Sequence, residues 1–319
     1  MKQPIHLMSG MPEITLTPIF ATRTAPSLPR DLIISRIKGC SRLPSLRSID
    51  NALRELLNAE GRYTTQIAEI IRRDPSLTAR LLRLVNSVYY GLTTPVNNIE
   101  EAVFYLGVRQ IRQLATVTPI IEDFQQLAGN SPFPWRSFWQ HCIATAIITR
   151  EITNVTGISM DEADYVAGLV HDVGKIVIAS AFPEQFAEIN RVVKNKEATQ
   201  LEAEKKILGM DHTELGGIYL EHHHLPEVMV ETARFHHQPS RAPQFANIVA
   251  AVQLADLLVR HADIGNSGNA EPVNEEAWLA AEGWNILFPK GRSETERSIA
   301  RAALKRSLER LPTILEGLV

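Results

Sequence analysis

The stretch Ala167-Gly168-Leu169-Val170-His171-Asp172-Val173-Gly174-Lys175 sets an imidazole beside a carboxylate in an apolar run that stops at a glycine and a lysine. On a helix, neighbouring side chains diverge by about 100°, so His171 and Asp172 converge on one ion only where other ligands meet them. Other ligands are available. His141 lies upstream, and His212, the doublet His236-His237 and Asp256 lie downstream, each inside or beside a helix-like apolar pattern. Such a mixture of imidazole and carboxylate suits a hard or borderline divalent metal. Lys175 can neutralise an anionic substrate or phosphate next to such an ion. Equally, it can be a solvated lysine that complements a helix dipole.

The elements that must position these groups read as helices. In the first half, Asp31 to Ile37 is amphipathic, and Ile49, Leu53, Leu56 and Leu57 keep helical spacing. Asp74-Pro75 is a helix start, with Asp as N-cap and Pro at the first position. Asn98 with Glu101 reads as a capping box for Ala102 to Leu106. Ser131-Pro132-Phe133-Pro134 looks like a hinge into the second half, whose first helix runs through Trp139, His141 and Ile148. Ser159-Met160-Asp161-Glu162 reads as a capping box for the helix carrying the His-Asp pair. Thr199 with Glu202 caps a helix that Gly209 ends, and Asp211 with Glu214 caps the next, which starts at His212. Pro226 opens a helix ending near His237, Ile248 to Leu258 forms another, and Ser293 with Glu296 caps an amphipathic tail helix. No period-2 strand appears. The expected fold is all-α, an N-terminal helical bundle followed by a second helical unit. The expected divisions are a mobile leader at 1–29, helical regions at 30–130 and 131–262, and a loop with the tail helix at 263–319.

With 319 residues, 45% hydrophobic and 22% charged, the chain has an ordinary globular composition. The net charge of −3 suggests neither a generic nucleic-acid binder nor an acidic tail protein. Residues 30–114 carry 13 Lys/Arg against 8 Asp/Glu, and the remainder is net acidic. Within that basic part, Arg72, Arg73, Arg80 and Arg83 read as a solvated face, with docking of an acidic partner or nucleotide as the sharper alternative. Two cysteines, Cys40 and Cys142, make no disulfide framework. With no membrane-length apolar run and no signal pattern, a cytoplasmic location is expected.

Two stretches resemble the HDOD family, the HD-related output domain of bacterial signalling proteins. The first is Arg73-Asp74-Pro75-Ser76-Leu77-Thr78-Ala79-Arg80-Leu81-Leu82-Arg83-Leu84-Val85-Asn86-Ser87, leading to Tyr89-Tyr90-Gly91. The second is Gly168 to Lys175, followed by Leu208-Gly209-Met210-Asp211-His212-Thr213-Glu214-Leu215-Gly216 and Leu225-Pro226. The order H…HD…H…HH…D is also similar to the ligand order of the HD superfamily of metal-dependent phosphohydrolases. The resemblance implies that the second helical unit is a variant HD fold. It also implies His141, His171, Asp172 and Asp256 around one ion and His212, His236 and His237 around a second, the metal being iron, manganese or zinc. The related HD-GYP enzymes hydrolyse cyclic di-GMP, but here His236-His237 is followed by Gln238-Pro239-Ser240 rather than their Gly-Tyr-Pro element.

Two functions are expected from these features. The first is a bacterial signalling or regulatory protein that acts through protein–protein contacts and keeps a retained or vestigial metal site. The second is a metal-dependent phosphohydrolase or phosphodiesterase acting on a nucleotide or cyclic dinucleotide, with Lys175 serving catalysis. Each ligand has a plainer reading. His141 alone, on an apolar face with Ile148, is a core histidine, and Asp256 can be an ion-pair partner. His222-His223-His224, before Leu225-Pro226, reads as an exposed and incidental turn.

Overall fold

The computed structural model describes residues 28–40, 67–68, 71–72, 81–82, 85, 95–107, 133–158, 163–269 and 271–316. Among them every regular element is helical and no strand occurs. The helices are α1 (Arg30–Lys38), α2 (Trp135–Thr156), α3 (Ala163–Val170), α4 (Val173–Ala181), α5 (Pro183–Lys194) and α6 (Gln200–Leu208). They continue with α7 (His212–His222), α8 (Glu227–Phe235), α9 (Ala246–His261), α10 (Glu275–Ala280), α11 (Glu282–Leu287) and α12 (Glu294–Glu316). A further helical segment covers 99–107. No single helix among the described residues is long and apolar enough to cross a membrane.

The helix starts follow from local chemistry. The Thr199 hydroxyl accepts from the Glu202 backbone while the Glu202 carboxylate accepts from the Thr199 N–H, a reciprocal box that opens α6. The Asp211 carboxylate accepts from the N–H groups of Thr213 and Glu214 and so fixes where α7 begins. Ser293 with Glu296 makes the same exchange, and Asn98 Oδ1 accepts from the Glu101 N–H while the Asn98 side-chain amide, in place of its backbone, donates to the Glu101 carboxylate. The expected capping box at 159–162, the hinge residues Ser131 and Pro132 and the Asp74-Pro75 start lie outside the described residues.

One hydrophobic core runs from Ile33 and Ile37 of α1 through α2, α4, α7 and α9 to Leu304 and Leu311 of α12. The amphipathic tail helix therefore packs on its own chain, against α2. Trp278 of α10 and Trp284 of α11 meet edge to face at 5.4 Å beneath α9. A buried pair between Arg150 of α2 and Asp164 of α3, 2.5 Å apart, fixes how α3 crosses α2.

Two readings need correction. The His-Asp pair is not within a helix: α3 ends at Val170, His171 and Asp172 form a turn, and α4 then continues through Gly174 and Lys175 to Ala181. The cause is tertiary. At Gly174 the backbone of α4 lies so close to α7 that a Cβ would sit 1.9 Å from the His212 carbonyl oxygen. Gly174 marks a helix contact there, not a helix end. The second correction concerns the triple histidine, since His223 is buried against Tyr219 with ring centroids 4.4 Å apart.

Candidate metal centre

Seven side chains singled out by type and order come together at one place. α2 supplies His141, the α3–α4 turn supplies His171 and Asp172, α7 supplies His212 as its first residue, the end of α8 supplies His236 and His237, and α9 supplies Asp256. All but the half-buried His237 are at most 2% exposed.

The geometry separates into two clusters that share Asp172. On one side, Asp172 Oδ2 lies 3.4 Å from His171 Nε2 and 3.9 Å from His141 Nε2. Asp256 Oδ1 completes this side at 3.1 Å from His141 Nε2 and 3.9 Å from His171 Nε2. On the other side, Asp172 Oδ1 lies 3.3 Å from His212 Nε2 and 3.6 Å from His236 Nε2. His237 Nε2 closes that side at 3.2 Å from His212 Nε2. Potential ligand atoms of His141, His171 and Asp256, and of His212, His236 and His237, fall within 4.8 Å of one another in each set.

Three of the imidazoles are held in one tautomer by their outer nitrogen. His171 Nδ1 donates to the Gly168 carbonyl at 2.7 Å, and His236 Nδ1 to the carbonyls of Thr232 and Ala233 at 3.2 and 3.1 Å. His212 Nδ1 donates to Glu204 Oε2 at 2.6 Å. Nε2 of each is thereby turned inward, the arrangement that orients histidine for a metal. Five buried atoms at the centre lack an aligned hydrogen-bond partner: Nε2 of His141, His171 and His236, Oδ1 of Asp172 and Oδ1 of Asp256. Orphaned polar atoms are rare in folded interiors, and several facing one point are satisfied by an ion. The residues present fit a divalent metal.

Charge balance agrees. Burial by itself would raise the Asp172 carboxyl, yet the Lys175 ammonium at 2.7 Å, with His171 and His212, holds it well below the usual range. Burial opposes ionisation of Asp256 too, and His141 with Arg260 lowers it regardless. Burial pushes His236 down to about 3, helped by the neighbouring His171 imidazole, so it is neutral. His237 is likewise driven well down by burial and its imidazole neighbours. His212 goes the other way: burial would lower it, but the Glu204 carboxylate raises it to about 9.

Several supporting groups carried no signal in the sequence. Glu204, fully buried on α6, accepts from both the backbone N–H and Nδ1 of His212 at 2.8 and 2.6 Å. Ser267 accepts from the Lys175 ammonium at 3.1 Å, so Lys175 is a buried member of the site and not a helix-end lysine. Arg260, one turn beyond Asp256, approaches Asp256 Oδ2 at 3.6 Å. The loop holding Ser267 is tied down. Asn266 N donates to the Ser137 carbonyl at 2.9 Å, and Gly265, at φ +64°, passes so close to α2 that a Cβ would meet His141 N at 2.4 Å.

A cavity of about 500 Å³ opens beside the second cluster, with His237 on its wall. Arg30, Lys205, Arg234 and Arg241 surround it. Three of these cations are already matched, Arg30 with Glu214, Lys205 with Asp211 and Arg234 with Glu221. Of the arginine set 72, 73, 80 and 83, only Arg72 is described, and it pairs with Glu100.

A family model for the HDOD domain matches residues 43–239, more than half the chain. The chain belongs to the HDOD family. As an HDOD protein it resembles an uncharacterized protein of Treponema pallidum (strain Nichols), 26% identical over 238 residues that cover 72% of this chain and 44% of that one. It thus spans less than half the length of that curated relative. Among solved structures, an HDOD domain protein with unknown function from Geobacter sulfurreducens superposes with a TM-score of 0.75 at 26% identity, covering 91% of this chain and 99% of its own. A candidate signal transduction protein from Marinobacter aquaeolei VT8 gives 0.64 at 18% identity, over 90% and 64% of the two chains. A candidate phosphohydrolase from Shewanella amazonensis SB2B gives 0.64 at 23%, over 90% and 98%. These last two establish a shared helical fold alone.

Proposed function

We propose that this HDOD protein is a regulatory domain built around a divalent metal centre, and that it signals through contacts with a protein partner. The observation that carries the reading is the burial of the donors. Six of the seven predicted ligands are at most 2% exposed, and the seventh, His237, lines a cavity. His141, His171, Asp172 and Asp256 would hold one ion, and Asp172, His212, His236 and His237 a second, the metal being iron, manganese or zinc. So placed, the ligands join four helices and a turn into one unit, which ties folding to metal occupancy. Three of the four cations around the cavity beside His237 are already paired with carboxylates, which weakens the case for capture of an anionic substrate.

A second reading, hydrolysis of a phosphoester of nucleotide type, is favoured by the Asp172–Lys175 pair and by His237 facing the cavity. A bound ion in such a site supplies Lewis acidity and a more acidic water. The chain's own contribution would be an ammonium beside the shared carboxylate, His237 at the cavity wall and a largely dry surround.

The test is metal content of purified, tag-free protein, wild type beside Asp172→Ala, with thermal melting before and after chelation and a phosphodiesterase assay on the loaded protein. The proposal expects stoichiometric metal that the substitution abolishes, a melting point that falls on chelation, and no turnover. Metal-dependent turnover abolished in Asp172→Ala would replace it with the second reading. Absence of metal from both proteins would reduce the cluster to a hydrogen-bonded remnant.

A further inference from the structure

His237 differs from the other imidazoles of the second cluster in how it is held. Nδ1 of His212 and of His236 each donates to an acceptor, and His236 still stands at the C-cap of α8. His237 lies beyond that cap, and among the described residues its Nδ1 makes no such bond. Carbonyls at a helix end have no partner within the helix. The His237 carbonyl, so placed, accepts from Gln253 Nε2 at 2.9 Å.

Gln253, on α9 and 8% exposed, is itself fixed. Its Oε1 accepts from the Gly283 N–H of α11 at 2.7 Å. A carbonyl needs a donor and an N–H needs an acceptor, so these two backbone partners admit one orientation of the amide. α11 comes this close because residue 283 is glycine: a Cβ there would sit 2.5 Å from the Ala250 carbonyl oxygen. A second tie lies just beyond His237. The Ser240 hydroxyl and N–H donate to Glu282 Oε2 at 2.9 and 3.3 Å. Glu282 and Gly283 are the first two residues of α11, so one helix start holds the 237–240 segment at two points.

We infer that Gln253 is a positioning residue for His237, and that the start of α11 is a latch on the second ion. Gln253 acts by setting where the His237 ring stands. With α11 docked, His237 faces His212 at 3.2 Å and the second donor set is complete. With α11 released, the Gln253 amide loses the N–H that orients it, and the second cluster keeps only Asp172, His212 and His236. The ligands of the first cluster stand on α2, the α3–α4 turn and α9, outside the latched segment. The latch therefore acts on one ion of two. It is reciprocal: an ion in the second cluster strengthens the docking of α11 by the same factor. The latch rests on the metal reading above; the positioning of His237 by Gln253 does not.

The experiment uses the full chain. Gln253→Met keeps the length of the side chain and removes both hydrogen bonds. In chelator-treated protein carrying ¹⁵N-labelled histidine, NMR should show the His237 ring signals displaced and those of His171 in place. Unmoved His237 signals overturn the positioning role. In calorimetry with Mn²⁺, Gln253→Met should keep one ion at wild-type affinity and bind the other about tenfold or more weakly. Equal loss at both sites, or loss at neither, overturns the latch. His237→Ala should lose the same ion, and adding Gln253→Met to it should cost nothing further; additive losses show that Gln253 does not act through His237. Glu282→Ala, on an exposed side chain, cuts the other tie and should weaken the same ion about fivefold. In wild type, hydrogen exchange at the Gly283 amide should slow once the second ion binds, and exchange indifferent to Mn²⁺ overturns the latch. Wild type that binds no Mn²⁺, or binds it regardless of His237→Ala, overturns the two-cluster reading and the latch with it, while the histidine spectra still decide what positions His237.

Discussion

His212 and His237 face each other with their Nε2 atoms 3.2 Å apart. Two neutral imidazoles cannot hold that approach lone pair to lone pair; a proton or an ion must lie between them. In the metal-free protein the proton belongs to His212, which Glu204 raises to about 9, while burial keeps His237 well below its ordinary value.

The pH dependence of metal binding follows from that proton. Metal must displace it from His212, so affinity should rise as pH rises and level off near 9. Below that point, one displaced proton corresponds to about a tenfold loss in affinity per pH unit. Calorimetry in buffers of different ionisation enthalpy counts the protons released. An affinity flat between pH 6 and 9 would exclude His212 as a ligand.

Glu204→Gln tests the outer support of the same histidine. The substitution keeps shape but removes the charge that lifts His212, so the imidazole should titrate at lower pH, as seen by NMR. Metal should bind roughly 10- to 100-fold more weakly, the usual cost of losing such a partner. Unchanged titration of His212 would mean that Glu204 acts only as a cap for the α7 backbone.

Asp172 and Lys175 should show strong coupling in stability. Either Asp172→Asn or Lys175→Met leaves its buried partner unmatched, at a cost of about 3 kcal/mol. The double variant should recover more than half of that loss, measured by urea unfolding of metal-free protein. Additive losses would show that the two charges do not depend on each other.

Gly174→Ala probes the packing that opens the turn at His171 and Asp172. A methyl group 1.9 Å from the His212 carbonyl forces α4 away from α7. Loss of about 3 kcal/mol and loss of metal binding are expected together. A variant with wild-type stability and metal content would show that the two helices can separate without disturbing the site.

Much of this was readable in the chain. The capping boxes at Thr199 and Ser293 and the Asp211 cap give helix starts that depend only on nearby residues, and all three occur as expected. The seven candidate ligands were visible because imidazoles and carboxylates stand out in apolar runs. Glu204 did not stand out, since a glutamate on an amphipathic helix reads as solvated until α7 is placed over it. Ser267 and Arg260 stayed hidden for the same reason, as did α10 and α11, whose tryptophans gain meaning only against α9. The turn at His171 and Asp172 was misread as helix because its cause is another helix's carbonyl, 38 residues on at His212.

The seat of Gly265 and Asn266 on the first turns of α2 makes the carboxyl-terminal region a handle on the candidate metal centre. That loop leads through α10 and α11 to α12, which lies back along α2. A load applied at α12, by a fused module or a docked neighbour, would reach the helix that carries His141, on which α12 packs, and through it the loop that steadies Lys175. The family match stops at residue 239, so a fragment trimmed to it would lose Asp256, Ser267 and that linkage together.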